Sequence, residues 1–117
     1  MRREGHNEDA VANFHKGLSI NATCIDSLVG LAETLEALGS IEEATKYYER
    51  ASKVPEGSRN LKLLNNLADT LALEGKIQDA ISNYKKVITL DPKGNSGIDS
   101  YLGLGLAYWH DNDFIKV

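Results

Sequence analysis

The sequence predicts an all-α fold in which antiparallel helix pairs stack as a solenoid. The first observation behind this prediction is a repeat of 34 to 37 residues, which places alanines at Ala10, Ala44 and Ala80 and glycines at Gly39 and Gly75. The second is that the apolar residues inside each interval follow the spacing of a helix and not that of a strand. Several columns recur in register, which is typical of stacked helical repeats.

The first helix of each pair is predicted from an apolar stripe at positions i, i+3, i+4 and i+7. Its three occurrences are Leu28, Leu31, Ala32 and Leu35; Leu64, Leu67, Ala68 and Leu71; and Tyr101, Leu104, Gly105 and Tyr108. The second helix carries a small–aromatic–small stripe. Its occurrences are Ala10, Phe14 and Gly17; Ala44, Tyr48 and Ala51; and Ala80, Tyr84 and Val87. Large residues facing small ones allow two helices to interlock, so these stripes are expected to form the core.

Turn-forming residues separate six predicted helices. These lie near residues 8–20, 24–38, 41–54, 60–74, 77–90 and 97–110. Gly39 and Gly75 follow first helices, where glycine readily adopts the left-handed conformation that ends a helix. Ser40 and Glu43 predict a capping box at the start of the third helix, and Pro92 follows the predicted end of the fifth.

This pattern resembles the tetratricopeptide repeat, a helix–turn–helix unit of about 34 residues. The matching segments are Leu28-Val29-Gly30-Leu31-Ala32 with Ala44-Thr45-Lys46-Tyr47-Tyr48, and Leu64-Asn65-Asn66-Leu67-Ala68 with Ala80-Ile81-Ser82-Asn83-Tyr84. The resemblance implies a right-handed helical-repeat solenoid. It divides the chain into 1–22, the second helix of a partial repeat; 23–58 and 59–95, two full repeats; and 96–117, the first helix of a truncated repeat.

The two ends of the chain are interpreted in the same register. Asp113-Phe114-Ile115 matches the start of a further second helix. Both ends then cut through a repeat, and the chain is expected to be a fragment of a longer array; a naturally short protein with frayed ends is the alternative. Gly103 and Gly105 lie inside a helical stripe and are expected to be small packing residues, not a phosphate-binding loop.

Composition narrows the function classes. The formal net charge of −4 argues against a nucleic-acid partner, because such proteins usually carry a basic excess. Apolar stretches are too short to span a bilayer, and the first residues do not form a signal peptide. One cysteine, Cys24, excludes an internal disulfide and predicts a reducing, cytoplasmic location. Neither a catalytic constellation nor a metal or cofactor site is recognised, so no enzyme is predicted.

The resemblance implies that the first helices of successive repeats line a concave groove that holds a partner. The candidate groove residues are those on the first helices that the core stripe does not use. They are Asp26, Val29, Glu33 and Glu36; Lys62, Asn65, Asn66 and Asp69; and Asp99, Leu102, Leu106, Trp109 and His110. Acids outnumber bases in this set by five to one. We therefore expect a basic peptide or helix as the partner, since a negative surface attracts cations.

Two questions stay open at this point. Trp109 can anchor the partner, or it can pack on a helix that follows the sixth. The array can be an interaction scaffold, or a regulatory or substrate-recognition part of an enzyme whose catalytic domain is elsewhere. Part of the apolar stripe of the sixth helix, including Leu104 and Tyr108, is expected to be left uncovered, and we expect weak self-association through this helix. Repeats that clamp the C-terminal carboxylate of chaperone tails use Lys, Asn and Arg on their first helices. That clamp is absent here, because the corresponding residues are Val29, Glu33, Asn66, Asp99 and Gly103.

Overall fold

Six helices form the protein in a computed structural model, which describes the backbone of residues 3–116 and the side chains of residues 6–110. They are α1 (Arg3–Ile20), α2 (Ile25–Ala37), α3 (Ile41–Lys53), α4 (Leu61–Leu73), α5 (Ile77–Leu90) and α6 (Asn95–Lys116). Together they comprise 80% of the chain, and no strand occurs in residues 3–116. The predicted all-α helical-repeat fold is confirmed.

The chain divides into two compact units, Met1–Ser58 and Arg59–Val117. The first unit contains α1, α2 and α3, and both α1 and α3 pack on α2. The second contains α4, α5 and α6, in which α5 packs on α4 and on α6. Each unit therefore has its own core.

The two central cores are built from the predicted stripes. In the first unit Leu28, Leu31 and Ala32 of α2 are at most 1% exposed, and Tyr48 of α3 is fully buried. In the second unit Tyr84 of α5 is equally shielded, at 3% exposure. The prediction that these aromatic side chains are buried is confirmed. Burial of one such side chain removes roughly 150–250 Å² from water and dominates the stability of its core.

Glycine ends both α2 and α4. Gly39 has a φ of 86° and Gly75 a φ of 82°, a conformation that side chains with a Cβ rarely adopt. The next residue then donates its N–H back to the helix: the nitrogen of Ser40 lies 2.8 Å from the carbonyl oxygen of Leu35. This arrangement satisfies carbonyls that would otherwise lack partners, as the sequence predicts for these glycines.

The capping box predicted at Ser40 and Glu43 is wrong. Ser40 precedes α3, but its side chain makes no capping hydrogen bond. Its own N–H is already bonded to Leu35, so no donor remains for Glu43 to accept from. The side-chain cap occurs instead at α4, where Asn60 accepts from the N–H of Leu63 at 3.1 Å.

Both terminal helices are longer than predicted. α1 begins at Arg3 and includes Gly5, and α6 continues to Lys116 through the turn expected before Asp113. The position that Gly39 and Gly75 hold in the earlier repeats is occupied by Asn112, so the residue that ends the other first helices is missing. The helix predicted to begin at Asp113 is therefore not observed; the side chain of Phe114 lies outside the described residues.

Helical glycines mark the places where helices approach closely. A Cβ at Gly30 would overlap the ring of Phe14 on α1, and a Cβ at Gly103 would overlap the ring of Tyr84 on α5. Gly103 is thus the packing residue that the sequence predicts. Gly105 is different, because it is exposed and no atom outside its own helical turn lies within 4 Å of the position that a Cβ would take; the expectation that Gly105 is a packing residue is wrong.

Candidate functional site

Four predicted site residues lie on α2 in the first unit. Asp26 is exposed, whereas Val29, Glu33 and Glu36 are half-buried. Glu36 accepts a hydrogen bond at 2.9 Å from the hydroxyl of Tyr48 on α3. The carboxylate of Glu36 therefore helps to hold α2 against α3, a role that the sequence does not indicate.

Four more lie on α4 in the second unit. Lys62 and Asp69 are exposed, and Asn65 and Asn66 are half-buried. Asn65 is bonded to α6 at two points. Its amide donates to the carbonyl oxygen of Ser96 at 3.2 Å, and its side-chain oxygen accepts from the hydroxyl of Ser100 at 2.7 Å.

This network changes the interpretation of Asn65. Ser100 is fully buried, so its hydroxyl needs a partner inside the protein, and Asn65 supplies it. The primary task of the Asn65 side chain is then to join α4 to α6. The amide thereby positions the two helices against each other.

Asp69 connects the surface of the second unit to its core. One carboxylate oxygen accepts a hydrogen bond from the hydroxyl of Tyr84, whose ring is buried between the helices. Partial desolvation raises the pKa of Asp69, and the negative charge of Asp99 on α6 raises it further, while the bond from Tyr84 opposes the shift. The charges of Asp69 and Asp99 thus repel each other across α4 and α6.

The α6 residues supply exposed apolar surface. Leu102 is 67% exposed, Leu106 52% and Trp109 57%. They are spaced i, i+4 and i+7, so they share one side of the helix. The ring of His110, also exposed, meets the ring of Trp109 edge-on, with centroids 5.1 Å apart.

We call Asp69, Asp99, Leu102, Leu106 and Trp109 the inner face of the second unit. It combines two acids with three large exposed apolar side chains on α4 and α6. This surface therefore presents negative charge and apolar side chains together. The sequence predicted these residues, but not that Asp69 and Asn65 also have partners inside the unit.

Groups that could bind a metal ion or react as a thiol are few in the part of the chain that is described. Side chains 6–110 contain no group of three His, Cys, Asp or Glu residues placed to hold a metal ion. The thiol of Cys24 is unpaired, and hydrogen bonds with Ser27 lower its pKa. In the same described range, no helix is both long enough and apolar enough to cross a bilayer.

Comparison with known proteins points to one family. The family model of the tetratricopeptide repeat matches residues 23–93, which is more than half of the chain. Tetratricopeptide repeat protein 8 of Caenorhabditis elegans is 28% identical over 98 residues, which is 84% of this chain. The chain spans only 18% of that protein's length.

Two solved structures share the fold. MamA superimposes with a TM-score of 0.84 at 19% identity, over 93% of this chain and 61% of that one. The first TPR of Spaghetti (RPAP3), bound to the HSP90 peptide SRMEEVD, superimposes with a TM-score of 0.79 at 15% identity, over 92% of this chain and 82% of that one. These likenesses show the same fold, and the family model that matches residues 23–93 establishes that the chain belongs to the tetratricopeptide repeat family.

Proposed function

We propose that this chain is a protein-interaction module and that the inner face of the second unit binds a basic peptide or helix with an apolar anchor. The observation that carries the proposal is the pair Asp69 and Asp99 on neighbouring helices beside exposed Leu102, Leu106 and Trp109. The protein bound to the SRMEEVD peptide has the same fold, which makes peptide binding a reasonable use of it.

Charge determines which peptides this face selects. The acidic pair favours Lys or Arg side chains and disfavours carboxylates, because a ligand charge that comes within about one Debye length, roughly 8–10 Å, of the acids feels their field. Asp26 and Glu33 on α2 carry the same sign of charge in the first unit. An acidic tail such as SRMEEVD would meet repulsion at Asp99. A nucleic acid would be repelled for the same reason, and the net charge of −4 extends this effect to the whole chain.

Apolar contact supplies the affinity. Trp is among the residue types that most often carry binding energy at interfaces, and the Leu102–Leu106–Trp109 stripe offers it with two aliphatic neighbours. A leucine or aromatic side chain of the ligand would cover this stripe, while its basic residues pair with Asp69 and Asp99. Exposed acids mainly speed association, and the apolar anchor slows dissociation.

The exposed side of α6 also supports weak self-association. Tyr101 is 55% exposed and Tyr108 44%, and Ile98 beside them is 60% exposed. Apolar surface of this extent on one helix tends to be covered by another protein surface.

The unpaired thiol of Cys24 suits a reducing compartment such as the cytoplasm.

Fluorescence of the single tryptophan tests the peptide proposal directly. The probe is a synthetic peptide that alternates lysines with leucines. We expect it to shift the Trp109 emission to shorter wavelength as the anchor covers the ring, with an affinity that falls as salt is raised. The control is the peptide SRMEEVD, which should leave the spectrum unchanged. Equal binding of both peptides, or binding that ignores salt, would contradict the proposal.

A further inference from the structure

Glu74 is the one acid among the described side chains whose carboxylate is buried without a hydrogen bond. Its side chain is only 12% exposed, and neither carboxylate oxygen has a hydrogen-bond partner. Its ion-pair partner in the described part of the chain is Lys76, whose Nζ lies 3.5 Å from Oε1 of Glu74. The compensation of a buried negative charge therefore depends on a single ammonium group.

The turn between α4 and α5 places this acid and this base side by side. The N–H of Glu74 donates to the carbonyl oxygen of Thr70 at 3.1 Å, and the N–H of Lys76 donates to that of Leu71 at 2.9 Å. These bonds hold the backbone of both residues in place. Glu74 also follows the last residue of α4, where the helix dipole disfavours negative charge. Lys76 offsets this effect together with the burial of the carboxylate.

The first unit makes the same turn without charges. Leu38 and Ser40 stand there at the positions of Glu74 and Lys76. Ser40 donates its N–H back to α2 at 2.8 Å, as Lys76 does to α4. The conformation of the turn therefore does not require an ion pair. In the second unit the pair makes the stability of the turn depend on charge, a dependence that the first unit lacks.

Lys76 is the partner that a reagent can reach, since its side chain is 55% exposed at the end of a helix pair. Its amine, once deprotonated, can attack the carbonyl carbon of an acetyl thioester. A carbon–nitrogen bond forms, the carbon–sulfur bond breaks, the thiol leaves, and the proton lost by the ammonium passes to water. The amide that results carries no charge, so the carboxylate of Glu74 is left without its counter-charge.

We propose that Lys76 is a modification site at which acetylation loosens the turn between α4 and α5. Removal of one partner from a buried pair leaves an uncompensated charge and destabilises the fold, although the exposure of Lys76 moderates the effect. We expect the opening equilibrium constant of the turn to rise roughly 5- to 30-fold. The turn joins the helices that carry Tyr84 and Asp69, so its loosening also reaches the inner face. The proposal does not depend on the peptide ligand.

Hydrogen exchange of protein acetylated at Lys76 during synthesis tests the proposal. The matched control is protein acetylated at Lys85, which is exposed on α5. Acetylation at Lys76 should speed exchange at the N–H groups of Glu74 and Lys76 roughly 5- to 30-fold and leave that of Ser40 in the first unit unchanged. Acetylation at Lys85 should change none of them. Equal exchange rates in the two acetylated proteins would overturn the proposal.

A set of substitutions shows whether the effect acts through Glu74. Lys76→Gln imitates the acetylated side chain and should raise the unfolding equilibrium constant in urea, whereas Lys76→Arg keeps the charge and should change it little. In a Glu74→Gln background, Lys76→Gln should also have little effect, because no buried charge remains. A loss of stability that persists in that background, or that is equally large for Lys76→Arg, would contradict the proposal.

A further variant keeps the test decisive if Lys76→Gln does not fold. Glu74→Leu combined with Lys76→Ser brings the turn of the first unit into the second, and it should be at least as stable as the unaltered protein. Addition of Glu74→Gln should likewise restore the folding of Lys76→Gln. Failure of either rescue would show that the buried charge is not the cause.

The accessibility of the Lys76 amine is tested by incubating the folded protein with acetyl-coenzyme A and locating the acetyl groups by mass spectrometry. We expect acetylation of Lys76 under conditions that acetylate the exposed Lys85. Acetylation of Lys85 without any at Lys76 would overturn its assignment as a modification site.

Discussion

The hydroxyl of Tyr84 donates a hydrogen bond to the carboxylate of Asp69, which couples the buried core of the second unit to its inner face. In the first unit Tyr48 donates in the same way to Glu36. Each full repeat thus uses its core aromatic residue to fix an acid on the preceding helix. A charge at the surface is held in position by a ring that cannot move without opening the core.

Two substitutions at Tyr84 should separate the contribution of its ring to stability from that of its hydroxyl. Tyr84→Ala removes a buried aromatic side chain and should lower the free energy of unfolding by about 3–5 kcal/mol. Tyr84→Phe keeps the ring and loses one hydrogen bond to an acid that water can reach, so its effect should be about 0.5–1.5 kcal/mol. Urea unfolding followed by circular dichroism measures both. A loss below about 1 kcal/mol for Tyr84→Ala would show that the ring is not part of the core.

Asp69→Asn should stabilise the protein at neutral pH. The pKa of Asp69 is raised in the folded state, mainly by desolvation, so the folded protein holds this proton more tightly than the unfolded chain does. The ionised carboxylate then reduces stability once the pH exceeds the folded pKa. The Asn side chain removes that charge, and its oxygen still accepts from Tyr84.

The expected readout is a pH-dependent difference in melting temperature. The variant should melt slightly higher than the unaltered protein at pH 7, and the difference should vanish below about pH 3, where Asp69 is largely protonated in both states. The effect is small because the carboxylate is partly solvated. A variant that melts lower at pH 7, or a difference independent of pH, would contradict the assignment.

Two glycines of one helix should respond with opposite sign to the same substitution. Gly103→Ala places a methyl group against the buried ring of Tyr84, and overpacking of this kind lowers stability by about 1–3 kcal/mol. Gly105→Ala meets no neighbour and should raise stability by about 0.5–1 kcal/mol through helix propensity. Urea unfolding at low protein concentration compares them. Equal effects would mean that α6 does not pack on α5 through Gly103.

A second matched pair concerns helix capping. Asn60→Ala removes the side-chain cap of α4 and should lower the free energy of unfolding by about 1 kcal/mol. Ser40→Ala should change it by less than about 0.5 kcal/mol, because Ser40 makes no capping bond and the turn depends on Gly39. A larger loss of unfolding free energy for Ser40→Ala than for Asn60→Ala would indicate that the Ser40 side chain caps α3, contrary to the structure.

The repeat columns predicted most of the core of the two full repeats, although Leu63 and Ile81, which lie outside those columns, are buried as well. Leu28, Leu31, Tyr48 and Tyr84 were assigned to it by spacing alone, and all are buried. Spacing succeeds here because each helix pair packs mainly with its sequence neighbours, so that local periodicity determines which side chains meet.

Side-chain partnerships and helix ends were not predictable in this way. Ser100 bonds Asn65 across 35 residues, and Tyr84 reaches Asp69 across 15. No periodic signal distinguishes such a bonded side chain from a solvated one. The capping box failed because a main-chain bond at Ser40 competed with it. α6 continues past its predicted end because Asn112 stands at the repeat position where Gly39 and Gly75 end α2 and α4.

Charge reversal at Asp99 is the most direct test of the central claim, that the inner face binds basic peptides. Asp99 is exposed and its charge acts on Asp69, so Asp99→Lys changes the sign of the charge there without emptying the core. The matched control is Glu56→Lys, an equal charge change at an exposed turn residue of the first unit. Affinity for the lysine–leucine peptide is measured by Trp109 fluorescence at low and high salt. We expect Asp99→Lys to weaken binding roughly 3- to 10-fold at low salt and to flatten its salt dependence, while Glu56→Lys has little effect. Unchanged affinity in Asp99→Lys, or an equal loss in Glu56→Lys, would show that the inner face is not the binding site.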